Sequence, residues 1–454
     1  MTDRTEAAPN RALLALAEAQ VPRYTSYPTA AQFGPLEETT YRRWLRESLV
    51  PSGPLSLYVH VPFCRDLCWY CACHARPTRS AERIRAYAEA LQAEAALLAD
   101  ALPPHAGVSH LHLGGGTPSI LGPEGLQALL GTLRRRFGLR PGAEIAIELD
   151  PRRLDEATAE ALGALGFTRA SLGVQDIDPA VQARIGRPQP AALVELAVQR
   201  LRRAGLREIN IDLMYGLPTQ TVAHVETSAR FAAALGADRL AVFGYAHVAW
   251  MKPHQKAIDA STLPDALARL EQAEAAEAVL ISVGYQALGL DHFALPHDGL
   301  ARAAAAGRLR RNFQGYTTDR APVLLGLGAS AIGNIAGSHA QNVVDERRYA
   351  GAVAAGCLPI ARGLAATPED VLRAGMIERV MCDFALDMRD AGPEAQAVLR
   401  QALARMDGLE REGLVLRDAL QLRVTPLGRR FVRQVAACFD AFLLRRPNAH
   451  SAAV

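Results

Sequence analysis

Short apolar runs alternate with longer amphipathic stretches through the first 250 residues. Six runs have the length and the β-branched or aliphatic character of strands: 55–63, 110–116, 144–150, 169–175, 208–218 and 239–247. Between them, stretches such as 83–102 and 192–205 place apolar residues at helical spacing. Strand and helix repeated six times predict parallel βα units.

Polar or glycine-containing segments follow nearly every one of these strands. Periodicity alone does not separate a doubly wound sheet from a barrel. In barrels, however, active sites are built at the carboxyl ends of several strands together. We therefore predict an α/β fold that is a partial (β/α)6 TIM-like barrel.

The pattern loosens after residue 250, and helices dominate from residue 367 onward. Segment 410–444 is typical of a helix end, two short strands joined by a turn, and a helix, which predicts a winged-helix-like module. We predict three regions in the chain: an N-terminal lid or substrate segment, a barrel with its C-terminal extension, and a mostly helical, winged-helix-like domain, over residues 1–50, 51–365 and 366–454.

Composition narrows the class of protein. Of 454 residues, 50% are apolar and 21% charged, with a formal net charge of +3, so nucleic acid is not the expected partner. The first twenty residues carry acids and lack a continuous apolar stretch, and no run approaches the ~18 residues that span a bilayer. We expect a cytoplasmic protein without a membrane span, in which clustered cysteines serve metal binding or catalysis.

Four of the seven cysteines lie within ten residues, in "CRDLCWYCAC" (64–73), directly after the first predicted strand. Structural zinc usually takes two cysteine pairs from separate segments, and no second pair is present. An iron–sulfur cube can take three thiolates from one tight loop and leave its fourth iron open. The spacing C-x3-C-x2-C-x-C thus favours an iron–sulfur cluster, with zinc or structural thiols as alternatives.

Glycine and polar residues mark the ends of the later strands. Segment "GGGTP" (114–118) ends the second strand, where glycine lets the backbone approach a ligand closely. A carboxylate at a strand end, as at Glu148, can accept hydrogen bonds from two hydroxyl groups of a ligand. Further polar side chains at the same rim are Gln175, Arg187 and Asp212. Each of these features also fits an ordinary turn or rim residue, so their shared location carries the argument.

The C-x3-C-x2-C loop after the first strand of a six-fold βα pattern resembles the radical S-adenosylmethionine (SAM) superfamily. The resemblance implies a [4Fe-4S] cluster held by three cysteines, with SAM chelating the open iron. It also implies that an electron from the reduced cluster cleaves SAM to a 5′-deoxyadenosyl radical.

Several further segments resemble one family, the oxygen-independent coproporphyrinogen III oxidases: 21–30, 58–73, 111–119, 170–176, 289–294 and 310–318. The resemblance covers nearly the whole chain. It implies an oxidoreductase of haem biosynthesis that converts two propionates of coproporphyrinogen III to vinyl groups and so forms protoporphyrinogen IX. It further implies a tetrapyrrole substrate, an electron donor and an electron acceptor that the sequence does not identify, and a monomer.

Carried over residue by residue, the resemblance makes Cys64, Cys68 and Cys71 the cluster ligands and leaves Cys73 outside the ligand set. Two SAM molecules are expected. The first would contact Tyr58, Gly115, Glu148 and Ile332, and the second Tyr70, Gly116, Thr117, Gln175, Arg187, Asp212 and Ala246. Tyr58 is also the candidate catalytic residue. The family more usually has Phe where Tyr70 stands.

The substrate carries four carboxylates on an apolar macrocycle, so its site should combine apolar walls with a few cations. Two segments have this mixture: "PRYTSYP", with Arg23, Tyr24 and Tyr27, and "RRNFQGY", with Arg310, Arg311 and Phe313. Packing of loops accounts for both equally well, and we assign neither a catalytic role.

Three alternative functions remain at this point. A haem chaperone of the same superfamily usually lacks the final cysteine of the loop and the 21–28 segment, so both features favour the oxidase. A haem-degrading radical SAM methyltransferase is separated less cleanly. A zinc-bearing DNA-binding protein is disfavoured by the low net charge and the missing second cysteine pair.

Overall fold

The structure is a computed structural model that describes residues 11–443. Residues 1–10 of the predicted N-terminal segment and 444–454 of the predicted C-terminal domain lie outside it. The strands are β1 (Gly34–Pro35), β2 (Leu55–Val61), β3 (Phe63–Cys64), β4 (Arg76–Pro77), β5 (Val108–Gly115), β6 (Leu139–Leu149), β7 (Arg169–Gln175), β8 (Glu208–Tyr215), β9 (Arg239–Gly244), β10 (Gln286–Leu288), β11 (His292–Ala294), β12 (Arg310–Asn312), β13 (Gly315–Thr317), β14 (Val323–Leu327), β15 (Ile332–Ile335), β16 (Ser338–Asn342), β17 (Ile360–Leu364), β18 (Ala385–Asp387), β19 (Val415–Arg417) and β20 (Gln421–Val424).

The α-helices of the described residues are α1 (Arg11–Glu18), α2 (Glu38–Ser48), α3 (Ala81–Ala101), α4 (Gly122–Phe137), α5 (Glu156–Ala164), α6 (Pro179–Arg184), α7 (Ala191–Arg203), α8 (Val222–Ala234), α9 (Ala266–Ser282), α10 (Gly299–Ala305), α11 (Glu346–Ala354), α12 (Pro368–Asp383), α13 (Pro393–Leu403), α14 (Asp407–Arg411) and α15 (Val432–Ala437). In this part of the chain, none of them has both the length and the apolar composition that crossing a membrane requires.

The main sheet contains the predicted βα units. Its strand order is β1-β17-β16-β15-β14-β2-β5-β6-β7-β8-β9-β11-β10, and the six strands from β2 to β9 pair in parallel. The predicted α/β partial barrel is confirmed. A seventh strand, β14, extends the parallel set beside β2, in a region that the sequence pattern did not mark as a strand.

The predicted and observed strand bounds agree to within five residues: β6 begins five residues before its predicted start, and β8 and β9 each end three residues before their predicted ends. Strand β7 spans 169–175 as expected, whereas β8 ends at Tyr215 and not at residue 218. Gly216 has a φ of +80°, and Pro218 has no backbone N–H to donate to a neighbouring strand. The chain therefore turns out of the sheet directly after Tyr215.

The two faces of each barrel strand carry different side chains. Along β2, Leu55, Leu57, Val59 and Val61 are almost completely buried in the main core, which they share with the helices. The alternate residues Ser56, Tyr58 and His60 point to the opposite face, inside the barrel. The inner face is therefore polar along its length and can carry chemistry.

A second core joins the two ends of the chain. Ala17, Tyr24 and Tyr27 pack with residues of α12, α13 and α15 in one apolar cluster. The C-terminal region combines these helices with a three-stranded sheet of order β18-β20-β19. Helices followed by a short hairpin match the expected pattern, while the domain boundaries at residues 50 and 365 stay predictions.

Candidate active site

The cysteine loop after β2 contacts residues that follow three other strands or helices. Cys64 Sγ lies 3.5 Å from Thr117 Oγ1, just after β5. Cys68 Sγ accepts hydrogen bonds from Arg187 Nη1 at 3.3 Å and from Arg152 Nη2 at 3.5 Å. Because β5, β6 and β7 are parallel, these contacts place the loop at the carboxyl end of the barrel.

A segment that follows β9 holds the backbone of the same loop. His254 Nε2 lies 2.7 Å from the Cys71 carbonyl oxygen, and Gln255 Nε2 donates to the Tyr70 carbonyl at 2.9 Å. Lys252 Nζ donates to the Cys73 carbonyl at 2.9 Å. These three side chains satisfy backbone acceptors that the tight loop leaves without strand or helix partners.

The thiols occupy electrostatically different positions. A hydrogen bond with Cys73, opposed by burial and assisted by the positive charge of Lys252 and Arg187, lowers the pKa of Cys71 to about 7. Burial raises the pKa of the Cys64 thiol to about 11. A metal binds the thiolate form, so cluster binding would release protons here.

The chemistry of the loop fits an iron–sulfur cluster. Three thiols come from one loop, and guanidinium N–H groups point at Cys68 Sγ, where they would compensate thiolate charge. Among residues 11–443, no three His, Cys, Asp or Glu side chains converge on a point that would hold a single metal ion. Cluster thiolates each bind a different iron, and do not need to converge in that way.

The glycines after β5 are required by the packing of the chain itself. Gly115 has a φ of +114°, and a Cβ there would lie 2.5 Å from the His60 ring. A Cβ on Gly116 would lie 2.6 Å from the Phe63 carbonyl oxygen. The end of β5 thus approaches the start of the cysteine loop closely, and this contact alone accounts for both glycines.

Glu148 is an ionised carboxylate at the end of β6. Its oxygens accept hydrogen bonds from His112 Nε2 at 3.1 Å and from the Gly115 N–H at 3.0 Å. Burial raises the pKa of Glu148, but the hydrogen bonds with His112 and with the Gly115 N–H outweigh this effect and hold the pKa below its ordinary value. The side chain is half-exposed, so it remains accessible to a ligand.

Arg187 joins the cysteine loop to the ends of β6 and β7. Its Nη2 lies 3.2 Å from Asp150 Oδ1 and also donates to the Gly173 carbonyl. Asp150 pairs in turn with Arg152 at 2.6 Å, and despite burial the two arginines lower its pKa. Within the described part of the chain, Arg187 Nε is buried and makes no hydrogen bond, so it is available to a bound group.

Asp212 and Gln175 lie on the neighbouring strands β8 and β7. Burial and the negative charge of Glu148 raise the pKa of Asp212 to about 7, although Asn210 Nδ2 donates to its carboxylate at 2.7 Å. Gln175 is buried with a φ of +72°, a strained value for a residue other than glycine. Such strain is concentrated at functional sites.

Tyr58 is linked to His60 across the inner face of β2. The Tyr58 hydroxyl lies 2.9 Å from His60 Nδ1, and His60 Nε2 lies 2.9 Å from the His74 carbonyl oxygen. Because a carbonyl only accepts, Nε2 carries the hydrogen and Tyr58 donates to Nδ1. Burial lowers the pKa of His60 to about 4 and raises that of Tyr58 well above its usual value, so both groups are neutral.

The remaining candidates lie at the edges of this site. Gln255 Nε2 donates to the carbonyls of both Tyr70 and Ala246, and so brings these two residues together. Ile332 lies on β15, with β14 between it and β2; Gly326 of β14 is in register with Tyr58 and contacts the Ile332 backbone. Ile332 is therefore separated by one strand from β2, which leads into the cysteine loop.

Sequence reasoning missed several residues that organise the site: His60, His112, Asp150, Arg152 and Gln255. The two histidines carried a usable signal, because they occupy the same inward-facing positions as Tyr58 in "LYVHV" and "HLHLG". No sequence signal marks Gln255, which meets Tyr70 across 185 residues.

The fold and the cysteine loop define a radical SAM enzyme. Residues 58–232 match the Radical SAM superfamily. The solved structure of a coproporphyrinogen III oxidase from Escherichia coli, described as a radical SAM enzyme, is 37% identical to this chain. It superposes with a TM-score of 0.87 and covers 94% of this chain and 100% of its own.

Curated relatives specify the family. The oxygen-independent coproporphyrinogen III oxidase of Bradyrhizobium diazoefficiens is 47% identical over 443 residues, which cover 96% of this chain and 98% of the relative. The enzyme of Escherichia coli with the same name is 39% identical and covers 94% and 93%. The chain belongs to the family of the oxygen-independent coproporphyrinogen III oxidases. It is a radical SAM oxidoreductase, and its cofactors are a [4Fe-4S] cluster and SAM.

Proposed function

We propose that this protein oxidatively decarboxylates two propionates of coproporphyrinogen III to vinyl groups without oxygen and so forms protoporphyrinogen IX. One observation carries the proposal. The cysteine loop contacts residues that follow three strands of the barrel, and therefore covers a polar mouth that holds an ionised carboxylate and buried arginine. Near-full-length similarity to enzymes named for this reaction supports the same assignment.

We assign the three iron ligands to Cys64, Cys68 and Cys71. When bound, the cluster and SAM supply an electron and a carbon-centred radical that takes a hydrogen atom from the propionate β-carbon. Thr117, Arg152 and Arg187 contact two of the three thiols and would offset the negative charge of the loop. Cys73 is hydrogen-bonded to Cys71 and would act through it.

For the first SAM molecule we propose contacts with Tyr58, Gly115, Glu148 and Ile332. Glu148 is ionised and half-exposed, as hydrogen bonding to ribose hydroxyls requires. The Tyr58 hydroxyl donates a hydrogen bond to His60, so the Tyr58 oxygen can still accept a hydrogen bond from a ligand. The same hydrogen bond fixes the orientation of the Tyr58 ring beside the site. This arrangement supports Tyr58 as the residue that positions the reacting group.

For a second SAM molecule we propose Tyr70, Gly116, Thr117, Gln175, Arg187, Asp212 and Ala246. The buried Arg187 Nε and the raised pKa of Asp212 indicate polar groups that a ligand would complete. Removing water from the barrel mouth when both SAM molecules bind would protect reactive intermediates.

We further propose that the protein is cytoplasmic and monomeric, takes electrons from a reductant, and passes the last electron of each cycle to a separate acceptor, without nucleic acid as a partner. The N-terminal segment 1–50 and the domain 366–454 would cover the barrel 51–365. Packing of Tyr24 and Tyr27 against α12 and α15 supports this arrangement.

An anaerobic assay tests the proposed reaction. Protein reconstituted with iron and sulfide is incubated with reductant, SAM, coproporphyrinogen III and cell extract as the source of the acceptor. Protoporphyrin and 5′-deoxyadenosine should form together. Haem binding without any porphyrin product would instead assign a chaperone, and methyl transfer to haem a methyltransferase.

A further inference from the structure

A pocket rich in arginine opens at the same end of the barrel as the cysteine loop. Its lining leaves about 740 Å³ of empty space, part of which is open to solvent, so the pocket is a cleft and not a closed cavity. Five arginines line it against two acidic side chains, Glu277 and Asp291. Its walls are otherwise apolar or aromatic, with Tyr215, Val242, Leu290 and Phe293 among them. Excess positive charge beside an apolar wall is typical of a site for an amphipathic anion.

Two of these arginines are already oriented by neutral acceptors. Arg23 Nη2 donates to the Gly244 carbonyl at 2.8 Å. Arg311 donates to the carbonyls of Tyr24 and Arg23 at 3.1 and 3.2 Å, and lies over the Tyr316 ring at 4.4 Å. Carbonyl oxygens fix a guanidinium without cancelling its charge, so both side chains are pre-organised for an anion.

The third and fourth arginines differ in their partners. Arg430 is paired with Glu277 at 2.8 Å and is largely neutralised. Arg433 is buried and donates to the carbonyls of Val21 and Pro22. Burial is the main cause that lowers the pKa of Arg433 to about 9, and the positive charges of Arg23 and Arg311 lower it further.

Among the arginines that line the pocket, Arg311 has a side-chain nitrogen without a hydrogen-bond partner in the described part of the chain. In the described part of the chain, Arg311 Nη1 is buried and makes no hydrogen bond. Asp291 supplies some compensation, because Arg311 and Arg23 help to lower its pKa, although burial opposes them and its closest contact is His292 at 2.7 Å. The guanidinium of Arg311 therefore still has a donor to offer.

The pocket adjoins the proposed SAM site. Tyr215 and Gly244 are the last residues of β8 and β9, so the pocket starts where those strands end. Asp212 lies three residues before Tyr215 on β8 and is close enough to Asp291 for the two charges to interact. Tyr245 of the pocket directly precedes Ala246, a proposed SAM contact.

We propose that this pocket binds the carboxylates of the tetrapyrrole, with Arg23 and Arg311 as the principal anion donors and the apolar wall against the macrocycle. The inference rests on the proposed function for the identity of the ligand. It assigns the site to residues from the N-terminal segment, the barrel, the β12–β13 hairpin and the C-terminal region, so all four parts of the chain recognise the substrate.

The first test measures binding to the cluster-loaded protein. Coproporphyrin III, the oxidised and fluorescent form of the substrate, is titrated against wild type, Arg23→Gln and Arg311→Gln. Loss of one charge-assisted hydrogen bond should weaken binding by about 10- to 100-fold in each variant. Arg308→Gln is the matched control, because Arg308 is an exposed arginine just before the same hairpin. Its affinity should equal that of wild type.

Two measurements separate recognition from a purely structural role. Arg311→Lys keeps the charge but loses the forked geometry, so it should recover part of the affinity if charge is recognised. Unaltered protein should bind coproporphyrin III tetramethyl ester as weakly as Arg311→Gln binds the free acid. Equal affinity of wild type for acid and ester, or unchanged affinity in both glutamine variants, would overturn the inference.

The same experiment distinguishes this inference from the proposed function. If wild type forms protoporphyrin but binding of coproporphyrin III does not depend on Arg23 and Arg311, the oxidase reaction is supported and the assignment of the pocket is wrong. Arginine-dependent binding without any protoporphyrin from wild type would support a tetrapyrrole carboxylate site in a protein with another reaction.

Discussion

The two ends of the barrel use the same kinds of side chain for different purposes. At the amino end, inward-facing charges pair with one another: Arg239 with Asp298 at 2.7 Å and with Glu208 at 3.1 Å, His110 with Asp319 at 3.2 Å, and Arg169 with Glu144. At the carboxyl end, polar groups meet thiols, backbone atoms and one another, and Arg187 Nε is left unpaired among the described residues.

The difference separates scaffold from site. A charged side chain that is already paired with another side chain of the protein is less available to a ligand, and at the amino end the charges are paired in this way. A charge fixed by a carbonyl or by a thiol keeps its capacity for another partner. Charged residues inside a barrel therefore indicate function only where their partners leave charge or hydrogen-bonding capacity unused.

The largest effect is expected at the carboxyl end. Cys68→Ser should abolish the cluster and the activity together while the protein stays folded, because one corner of the cube loses its thiolate. Iron and sulfide content, visible absorbance and product formation measure this. Cys357→Ser, at an exposed position after α11, should leave all three unchanged. A full iron complement in Cys68→Ser would show that the ligand assignment is wrong.

The next effect is expected at the amino end and concerns stability. Arg239→Met should lower the free energy of unfolding by roughly 3 to 5 kcal/mol, because Asp298 is left buried without its cation. Urea denaturation measures the loss. The double variant Arg239→Met/Asp298→Leu should recover much of it. Equal instability of the single and double variants would contradict an ion-pair explanation.

A pair of substitutions on β6 compares the two ends directly. Glu148→Gln should weaken SAM binding by about 10- to 100-fold, since a charged acceptor is lost at the mouth, and should leave the iron content intact. Glu144→Gln, on the same face of the same strand, should leave SAM affinity unchanged because Glu144 pairs with Arg169. Equilibrium dialysis with labelled SAM measures the affinity of both variants. A similar loss of SAM affinity in both would show that the two ends of the barrel do not differ in this way.

The smallest effect is a pH dependence of stability at the amino end. Burial and the negative charge of Glu144 raise the pKa of Glu208 to about 7. A carboxyl with a raised pKa favours the folded state at low pH, and this contribution is lost as pH rises from about 4.5 to about 7.

Wild type should therefore lose stability relative to Glu208→Gln across that range, by on the order of 1 kcal/mol once solvent screening of the half-exposed side chain is included. Urea denaturation at pH 5 and pH 8 tests this. Glu195→Gln on α7 is the exposed control. A difference that does not change with pH would show that Glu208 does not titrate in this range.

The sequence predicted the repeated architecture well because strand and helix periodicities are local. It missed β14 because that strand is buried on both faces, without polar alternation, and because Gly326 interrupts it. Gly326 is explained by packing, since a Cβ there would lie 3.0 to 3.1 Å from the backbone of Ala331 and Ile332. Such a contact between segments has no local signature.

Prediction of the candidate site was similarly uneven. The cysteine loop and the strand-end residues could be named from spacing, and the structure places Cys68 against Arg187. Their roles as ligands stay predictions. The partners that orient them, such as Asp150 for Arg187 and Gln255 for Tyr70, come from distant parts of the chain and follow only from the three-dimensional arrangement.

The joining of the two chain ends has a consequence for how the protein is made. Tyr24 Oη donates to Asp440 Oδ2 at 3.0 Å, and Arg433 donates to the carbonyls of Val21 and Pro22. During synthesis the N-terminal segment and then the barrel emerge from the ribosome before the C-terminal region, so the barrel can fold before that region is made. The N-terminal segment can therefore form its hydrogen bonds with Arg433 and Asp440 only after the last part of the chain has been synthesised. On the nascent chain, the cysteine loop is therefore complete well before the arginine pocket, which leaves an interval in which iron can be loaded before the proposed tetrapyrrole site has formed.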